Sequence, residues 1–406
     1  MKILQLCKQF PFPLNDGYSI AVTCLSRALK EAGCEVTLLS MNTSKHYFDP
    51  ANLPENYNHY QAVHTVDIDN RISLRGAFFN LFSTESYILS RFNSVAFGLE
   101  LKRLLKETPF DVIQLESVYL ASHVPIIREY SDALVAMRAH NVEHEIWERF
   151  ALNSTFFLKK RYLQYLSRKL KKHEIERLKD YDILVAITER DLEIFKNLGY
   201  RKAATVTPVG IAAEAYQPDW RRFSKPLSLA FIGSLDWMPN QEGVQWFLEK
   251  VWPEVQRRHP QLSFHIAGRG TPDWLKNKAS ENVYFHGEVE SAVEFINAHP
   301  LLIVPLFSGS GIRVKILEGM ALGSVVLTTS LGMEGINATH GEQILVADTA
   351  EAFVQNLAYC FENKTQLEQI GCHARQFIQD HFDTRKIGRE LVEKYNKLIG
   401  NTKLRS

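Results

Sequence analysis

The chain has 406 residues, enough for two domains of ordinary size. Its 47 basic and 46 acidic residues leave a formal net charge of +1, which argues against bulk nucleic-acid binding. Hydrophobic content of 45% and charged content of 23% are those of a globular protein, and no apolar run approaches the roughly 18 residues of a membrane span. Five scattered cysteines, Cys7, Cys24, Cys34, Cys360 and Cys372, form no C-x-x-C pair; they predict reduced thiols in a cytoplasmic protein.

Ile3 to Cys7 reads as a first strand and is too short for a signal-peptide core. Pro11 to Ser19 is a loop. Ile20, Cys24, Leu25, Ala28 and Leu29 then mark a helix that closes at Gly33, and Val36 to Leu39 is the next strand. This βαβ opening implies a parallel sheet. Residues 42 to 95 read as irregular. There Arg71, Arg75 and Arg91 alternate with Phe78, Phe79, Phe82, Tyr87 and Phe92. The pattern fits a surface helix packing its rings inward, the reading preferred for most of them, or an acceptor-facing loop with aromatic platforms. Asp67-Ile68-Asp69 has the spacing of an Asp-x-Asp metal motif but is expected in an ordinary loop.

Asp111 to Leu115 is a strand ending at Glu116, expected as a solvated loop carboxylate, although ligands also bind at the C-terminal ends of parallel strands. Ala133 to Ala139 is a strand that delivers His140, with His144 four residues on; His-Asn-Val-Glu-His lacks the order of a zinc helix. Between Lys159 and Lys179 there are nine Lys or Arg and two Glu, while Leu158, Tyr162, Leu166 and Leu170 recur every four residues. That predicts an amphipathic helix over 156–180 whose charged face is either solvated or rests on anionic lipid, at about 1 kcal/mol per basic residue. Tyr181 to Thr188 holds another strand, and a short helix follows at Asp191. Polar, proline-bounded Pro218 to Pro226 marks a hinge.

Leu229 to Ile232 opens a second domain, followed by the loop Gly233 to Asn240, a helix from Gly243 to Val255, and strands at Leu262 to Ala267 and Val283 to His286. Leu301 to Leu306 is an apolar run of buried-strand length. Ser308-Gly309-Ser310-Gly311 cannot continue it, and a helix is expected from near Ile312, with Ile312, Ile316, Leu317, Met320 and Ala321 on its buried face. Lys315 and Glu318 share the opposite stripe, and Gly319 beside them is expected to let a ligand approach the backbone. Ser324 to Thr329 is the next strand. Free N–H groups at such a helix start attract an anion, a lysine one turn in adds charge, and a carboxylate suits sugar hydroxyls. Together they suggest a nucleotide diphosphate, with phosphates at Gly309 to Lys315 and a ribose at Glu318. An ordinary βαβ crossover with a solvated Lys–Glu pair fits the spacing equally well. The segment is neither a P-loop nor a dinucleotide fingerprint. The last helix, about Thr384 to Ile399, is amphipathic through Ile387, Leu391, Tyr395 and Leu398.

The stretch from Val304 to Ile336 resembles the donor-site segment of retaining GT-B glycosyltransferases of the GT4 type (glycosyl transferase group 1). Glu318 matches the second glutamate of that family's Glu-x7-Glu pattern. The first falls on Ser310, as in a branch carrying Gly-Ser-Gly-Ile-Arg-x-Lys. The resemblance implies an α/β GT-B fold of two doubly wound Rossmann-like domains facing a cleft. The acceptor-side domain would take residues 1–207 together with a helix at 384–406 that crosses back, and the donor-binding domain residues 208–383. It further implies catalytic roles for His140, Lys315 and Glu318. Donor contacts would fall on Gly17, where Tyr18 replaces the family's second glycine, and on Gly233, Gly287, Val289, Ser310, Gly311, Arg313 and Gly335. The arginine and lysine that grip the diphosphate in many relatives are absent from 233–240, which has only Ser234 and Asn240, so Arg313 and Lys315 are the available cations.

The function so implied is glycosyl transfer, with retention and without a metal, from a nucleotide-diphosphate-sugar of UDP or GDP type to a glycan or lipid-linked acceptor in cell-surface polysaccharide biosynthesis. No cofactor and no nucleic acid are expected. The protein would be cytoplasmic, with peripheral contact to the inner membrane face through 156–180. Rivals are a GT-B nucleotide-sugar epimerase or phosphorylase, and a non-catalytic nucleotide-sugar-binding protein.

Overall fold

A computed structural model describes the chain except residues 15, 81, 84, 85, 155, 279, 310 and 404–406, and except the side chains of 74, 77, 78, 153, 402 and 403. The chain divides into two compact units, Met1–Val209 with Thr384–Ser406, and Gly210–Asp383. The stretch Pro218 to Pro226 lies inside the second unit, where Trp220–Ser224 is a short 3-10 turn with Arg222 fully buried; the passage between units is at Val209/Gly210.

The first unit is built on a seven-stranded, all-parallel sheet: β1 (Lys2–Cys7), β2 (Glu35–Thr43), β3 (Ala62–Ile68), β4 (Val112–Leu115), β5 (Leu134–Ala139), β6 (Ile183–Ala186) and β7 (Ala203–Val206), in the order β3-β2-β1-β4-β5-β6-β7. Its inner strands are apolar runs because both faces are covered. One face packs Leu4, Leu6, Ile113 and Leu115 under the Val95–Glu107 helix residues Phe97, Leu101 and Leu104. The other packs Ile3, Val112 and Ala136 under Leu25 and Leu29 of the first helix, Gly17–Glu31, and Leu391 and Tyr395 of the last, Thr384–Lys403. A Cβ on Gly388 of the last helix would lie 2.6 Å from Ala28 Cβ, so the two helices touch closely.

The 42–95 stretch is more ordered than its sequence implies. β3 is an edge strand whose residues are half-buried, so no apolar run marks it, and short helices follow at Leu74–Asn80 and Tyr87–Ser90. The Asp-x-Asp sequence lies at the end of β3 instead of in a loop, and Asp69 pairs with Arg71. Tyr87 and Phe92 pack inward, with Arg91 over both rings, whereas Phe79 and Phe82 stay exposed; the Phe78 side chain falls outside the described residues.

The second unit has six parallel strands, β8 (Ser228–Ile232), β9 (Ser263–Ala267), β10 (Val283–Gly287), β11 (Leu301–Val304), β12 (Val325–Thr328) and β13 (Leu345–Val346), ordered β10-β9-β8-β11-β12-β13. The helix expected from Gly243 instead starts at Met238, where Pro239 suits a first turn, and reaches Arg258 through a π turn at Phe247–Val251. Pro253 explains the widening, since it lacks an N–H and its ring crowds the carbonyl four residues back. In both units the strand order reverses once, beside β1 and β4 and beside β8 and β11. In open α/β sheets ligands bind outside the strand C-termini at such a reversal.

Candidate functional site

In the second unit the reversal is capped by the loop after β11. Gly309 and Gly311 have φ of +107° and +78°, and the helix proper runs Val314–Ala321 with Arg313 as its N-cap, two residues later than its sequence suggests. Arg313 is nearly buried; its NH1 donates to the Gly311 carbonyl, so this cation braces the loop. Lys315 is half-buried. Its Nζ donates to Asn240 Oδ1 at 2.8 Å, lies 4.6 Å from the centre of the Phe231 ring, and crosses the end of β8. A Cβ on Gly233 would come within 2.3 Å of that Nζ, so a side chain there would displace the ammonium from this position. Asn240 is held by its own Nδ2 donating to Ser234 O at 2.7 Å. One turn on, Glu318 Oε1 accepts from Tyr216 OH at 2.9 Å.

Burial and the neighbouring Arg313 charge push the Lys315 ammonium down to about 7, against the pull of Glu318. Burial pushes the Glu318 carboxyl up to about 7, against the Tyr216 hydrogen bond and Lys315. A half-buried amine and carboxyl near neutrality can exchange charge for a ligand's charge at little electrostatic cost. Gly319 does not serve ligand approach. It is buried, and a Cβ there would lie 2.5 Å from Leu302 Cδ2, so its role is close packing of this helix on the sheet.

The structure links Gly233 to the β10 end as well: Gly268 N donates to Gly287 O at 2.7 Å, and Gly268 backs directly onto Gly233. Val289 is half-buried two residues past that strand, and Gly335 sits in the turn after β12 with φ of +81°. Ser310 lies outside the described residues. Tyr216 and Asn240 were not predicted partners; each meets its target across a long sequence separation, with no local signal.

In the first unit, Gly17 is the first residue of its helix. Asp16 caps that helix by accepting from Ser19 N at 2.9 Å, so a carboxylate already occupies the end where an anion would sit. His140 follows β5, its ring 5.1 Å from that of Tyr18. Glu116, expected as a solvated loop carboxylate, is fully buried beneath it: Glu116 Oε2 accepts from His140 Nε2 at 2.8 Å and from Arg138 NH1 at 3.3 Å, and Oε1 from Gln5 Nε2 at 2.6 Å and from Gln114 Nε2. Burial alone would raise the Glu116 pKa, but the Arg138 charge and the hydrogen bonds from His140 and Gln5 hold it at about 2. The His140 pKa is lowered, by burial first, with Glu116 opposing.

His144 turns away from this group and meets Glu174, whose carboxylate also accepts from Glu143 N at 3.1 Å and His144 N at 3.0 Å, capping the Glu143–Asn153 helix. Among the described residues no group of three or more His, Cys, Asp or Glu could hold a metal ion. The 156–180 segment holds the expected amphipathic helix. The helix is Phe157–Arg177, and its Leu166 and Leu170 are buried in the core, so that apolar stripe faces the protein, while Phe156, Phe157 and Leu158 at its start are each 63–66% exposed. No described helix is long and apolar enough to cross a membrane.

Two parallel sheets, each with one reversal and a polar cluster at its strand C-termini, define the GT-B fold. Sucrose-phosphate synthase from Thermosynechococcus elongatus superposes with a TM-score of 0.73 at 15% identity, over 99% of this chain and 100% of that one. Anabaena HepE, solved in complex with UDP and glucose, gives 0.68 at 14% identity, over 98% and 99%. In sequence, residues 226–363, inside the second unit, match the family described as glycosyl transferases group 1. A Klebsiella pneumoniae protein described as an uncharacterized 44.6 kDa protein in the cps region is 22% identical over 405 residues, covering 95% of this chain and 97% of its own.

Proposed function

We propose that the protein is a glycosyltransferase that moves a sugar, with retention at the anomeric carbon and without a metal, from a nucleotide-diphosphate-sugar to a glycan or lipid-linked acceptor. The observation that carries this reading is the Lys315–Asn240 and Glu318–Tyr216 cluster at the reversal of the second sheet, inside the glycosyl transferases group 1 domain. The diphosphate would meet Lys315 and the Gly311 backbone, with Arg313 stiffening the loop and lending charge. The ribose would meet Glu318, and the base the turn from Gly287 to Val289. Catalysis would lie in stabilising charge on the departing diphosphate, and the acceptor hydroxyl would lose its proton to that phosphate on the same face of the sugar. His140 would steady the sugar from the first unit.

The HepE complex favours UDP over GDP, and the relative in a cps region favours cell-surface polysaccharide biosynthesis. A lipid-linked acceptor would suit a cytoplasmic enzyme touching the inner membrane face through the apolar start of the Phe157–Arg177 helix and the Lys159, Lys160 and Arg161 beside it. Ser310 in the slot of the family's first glutamate favours a second reading, a non-catalytic nucleotide-sugar-binding protein.

One experiment separates these readings. The purified protein is incubated with UDP-, GDP- and ADP-sugars, with and without acceptor oligosaccharides, and the products are followed by proton NMR. Transfer, or slow donor hydrolysis, with the anomeric configuration kept supports the proposal. Donor epimerised without acceptor, inverted product, or donor bound but untouched would each reject it.

A further inference from the structure

His140 is the end of a buried hydrogen-bond chain that starts on the last helix. Tyr395 OH donates to Gln114 Oε1 at 2.8 Å; Gln114 Nε2 donates to Glu116 Oε1; Glu116 Oε2 accepts from His140 Nε2 at 2.8 Å. A second branch reaches the same carboxylate oxygen from the loop before β3: Tyr60 OH donates to Gln5 Oε1 at 2.9 Å, and Gln5 Nε2 donates to Glu116 Oε1 at 2.6 Å. Gln5, Gln114, Glu116, Arg138 and Tyr395 are all fully buried. Gln5, Gln114 and Arg138 lie on one face of the sheet, in β1, β4 and β5, with Glu116 one residue past β4 in the same alternation and Tyr395 reaching that face from the last helix; Ile3, Val112 and Ala136 supply the apolar half of the same face.

We propose that Tyr395 and Glu116 are positioning residues for His140, fixing which ring nitrogen carries its proton and how the ring is turned. The proposal rests on the transferase reading only for what the histidine touches. An ionised carboxylate can only accept, so the nitrogen facing it must be N–H. His140 is thereby held as the Nε2–H tautomer, which leaves Nδ1 as its acceptor nitrogen and suits a ligand that offers hydroxyl donors, as a sugar does. Each tyrosine closes its branch the same way. Its hydroxyl engages the amide oxygen, so the amide NH2 must point at Glu116; without it the amide is free to rotate its oxygen toward the carboxylate. Arg138 supplies the compensating charge and also donates to Ala21 O at 3.2 Å. The Tyr18 ring also lies against the histidine, and the Lys8 charge acts on it.

The closing experiment needs no donor. Full-length protein labelled with 15N-histidine is studied by long-range proton–nitrogen correlation, with His140 assigned by its loss in His140→Gln. The wild type is expected to show His140 as the Nε2–H tautomer. Tyr395→Phe, which removes one oxygen from a buried ring, is expected to move the His140 nitrogen signals toward a tautomeric average, while the remaining histidine signals and the thermal melt hold. Tyr60→Phe is expected to do the same to a lesser degree, and Glu116→Gln to abolish the single tautomer where it folds. A wild-type Nδ1–H tautomer, or His140 signals unchanged in folded Tyr395→Phe, would overturn the proposal. If the signals respond as expected but the wild type binds no nucleotide-sugar, the chain of contacts stands and the transferase reading falls.

Discussion

Lys315 and Glu318 stand out at the residue scale because each is held away from its ordinary protonation range. The ammonium sits at about 7 instead of 10.5, so the folded protein binds fewer protons than the unfolded chain between those values, and stability rises with pH across that window. The Glu318 carboxyl sits at about 7 instead of 4.5, so there stability falls as pH rises. The two trends meet near pH 7, where the empty cluster contributes least. A diphosphate favours the protonated amine. Nucleotide-sugar binding is therefore expected to take up a proton above pH 7 and to weaken from pH 7 to 9; the diphosphate of such a donor is doubly esterified and does not titrate there. Calorimetry in buffers of different ionisation enthalpy reads this directly, and Lys315→Met should abolish the uptake. An unchanged uptake in that variant would exclude Lys315 as the titrating group. The Lys–Glu pair was legible in sequence because helical spacing fixes it. Glu116 was misread because a carboxylate just past a strand looks solvated. The signal lay elsewhere, in Gln5, Gln114 and Arg138 interrupting apolar strands, since a polar residue inside a buried parallel strand must find a partner.

At the scale of elements, two contacts carry separable consequences. Glu174 caps the Glu143–Asn153 helix from a neighbouring helix and pairs with buried His144. Glu174→Ala leaves two helix N–H groups and a ring nitrogen without their acceptor, and is expected to lower stability by about 3 kcal/mol in urea unfolding; a loss below about 0.5 kcal/mol would show that water replaces the cap. Gly319→Ala places a methyl against Leu302 and is expected to cost about 1–3 kcal/mol, with nucleotide affinity of the folded protein intact. Lost affinity at unchanged stability would instead restore the reading of Gly319 as a ligand approach. The sequence marks the central strands clearly, since β1, β4, β5, β8, β11 and β12 are apolar runs. It marks β3 poorly, because an edge strand of half-buried residues has no such run, and it misplaces the helix at Met238 because Pro239 reads as a breaker until it is seen in the first turn.

For the whole molecule, charge is balanced overall yet unevenly placed: nine Lys or Arg and two Glu lie between Lys159 and Lys179, next to exposed Phe156, Phe157 and Leu158. The periodicity was legible, but it cannot say whether an apolar stripe faces the protein or a membrane; burial of Leu166 and Leu170 assigns it to the core. Peripheral membrane contact through the exposed tip predicts that the protein sediments with phosphatidylglycerol vesicles and not with phosphatidylcholine vesicles. Phe156→Glu with Phe157→Glu should abolish this while leaving nucleotide affinity unchanged, whereas a wild type that ignores anionic vesicles would contradict it. The account as a whole depends on phosphate charge being met where the Gly309–Gly311 loop turns into the Val314–Ala321 helix. Isothermal titration of UDP into the wild type and into Lys315→Met at pH 7 tests this most directly. Binding by the wild type, weakened roughly 10- to 100-fold in the variant as expected for a charge-assisted hydrogen bond, is the predicted result; equal affinity in the two proteins would contradict it.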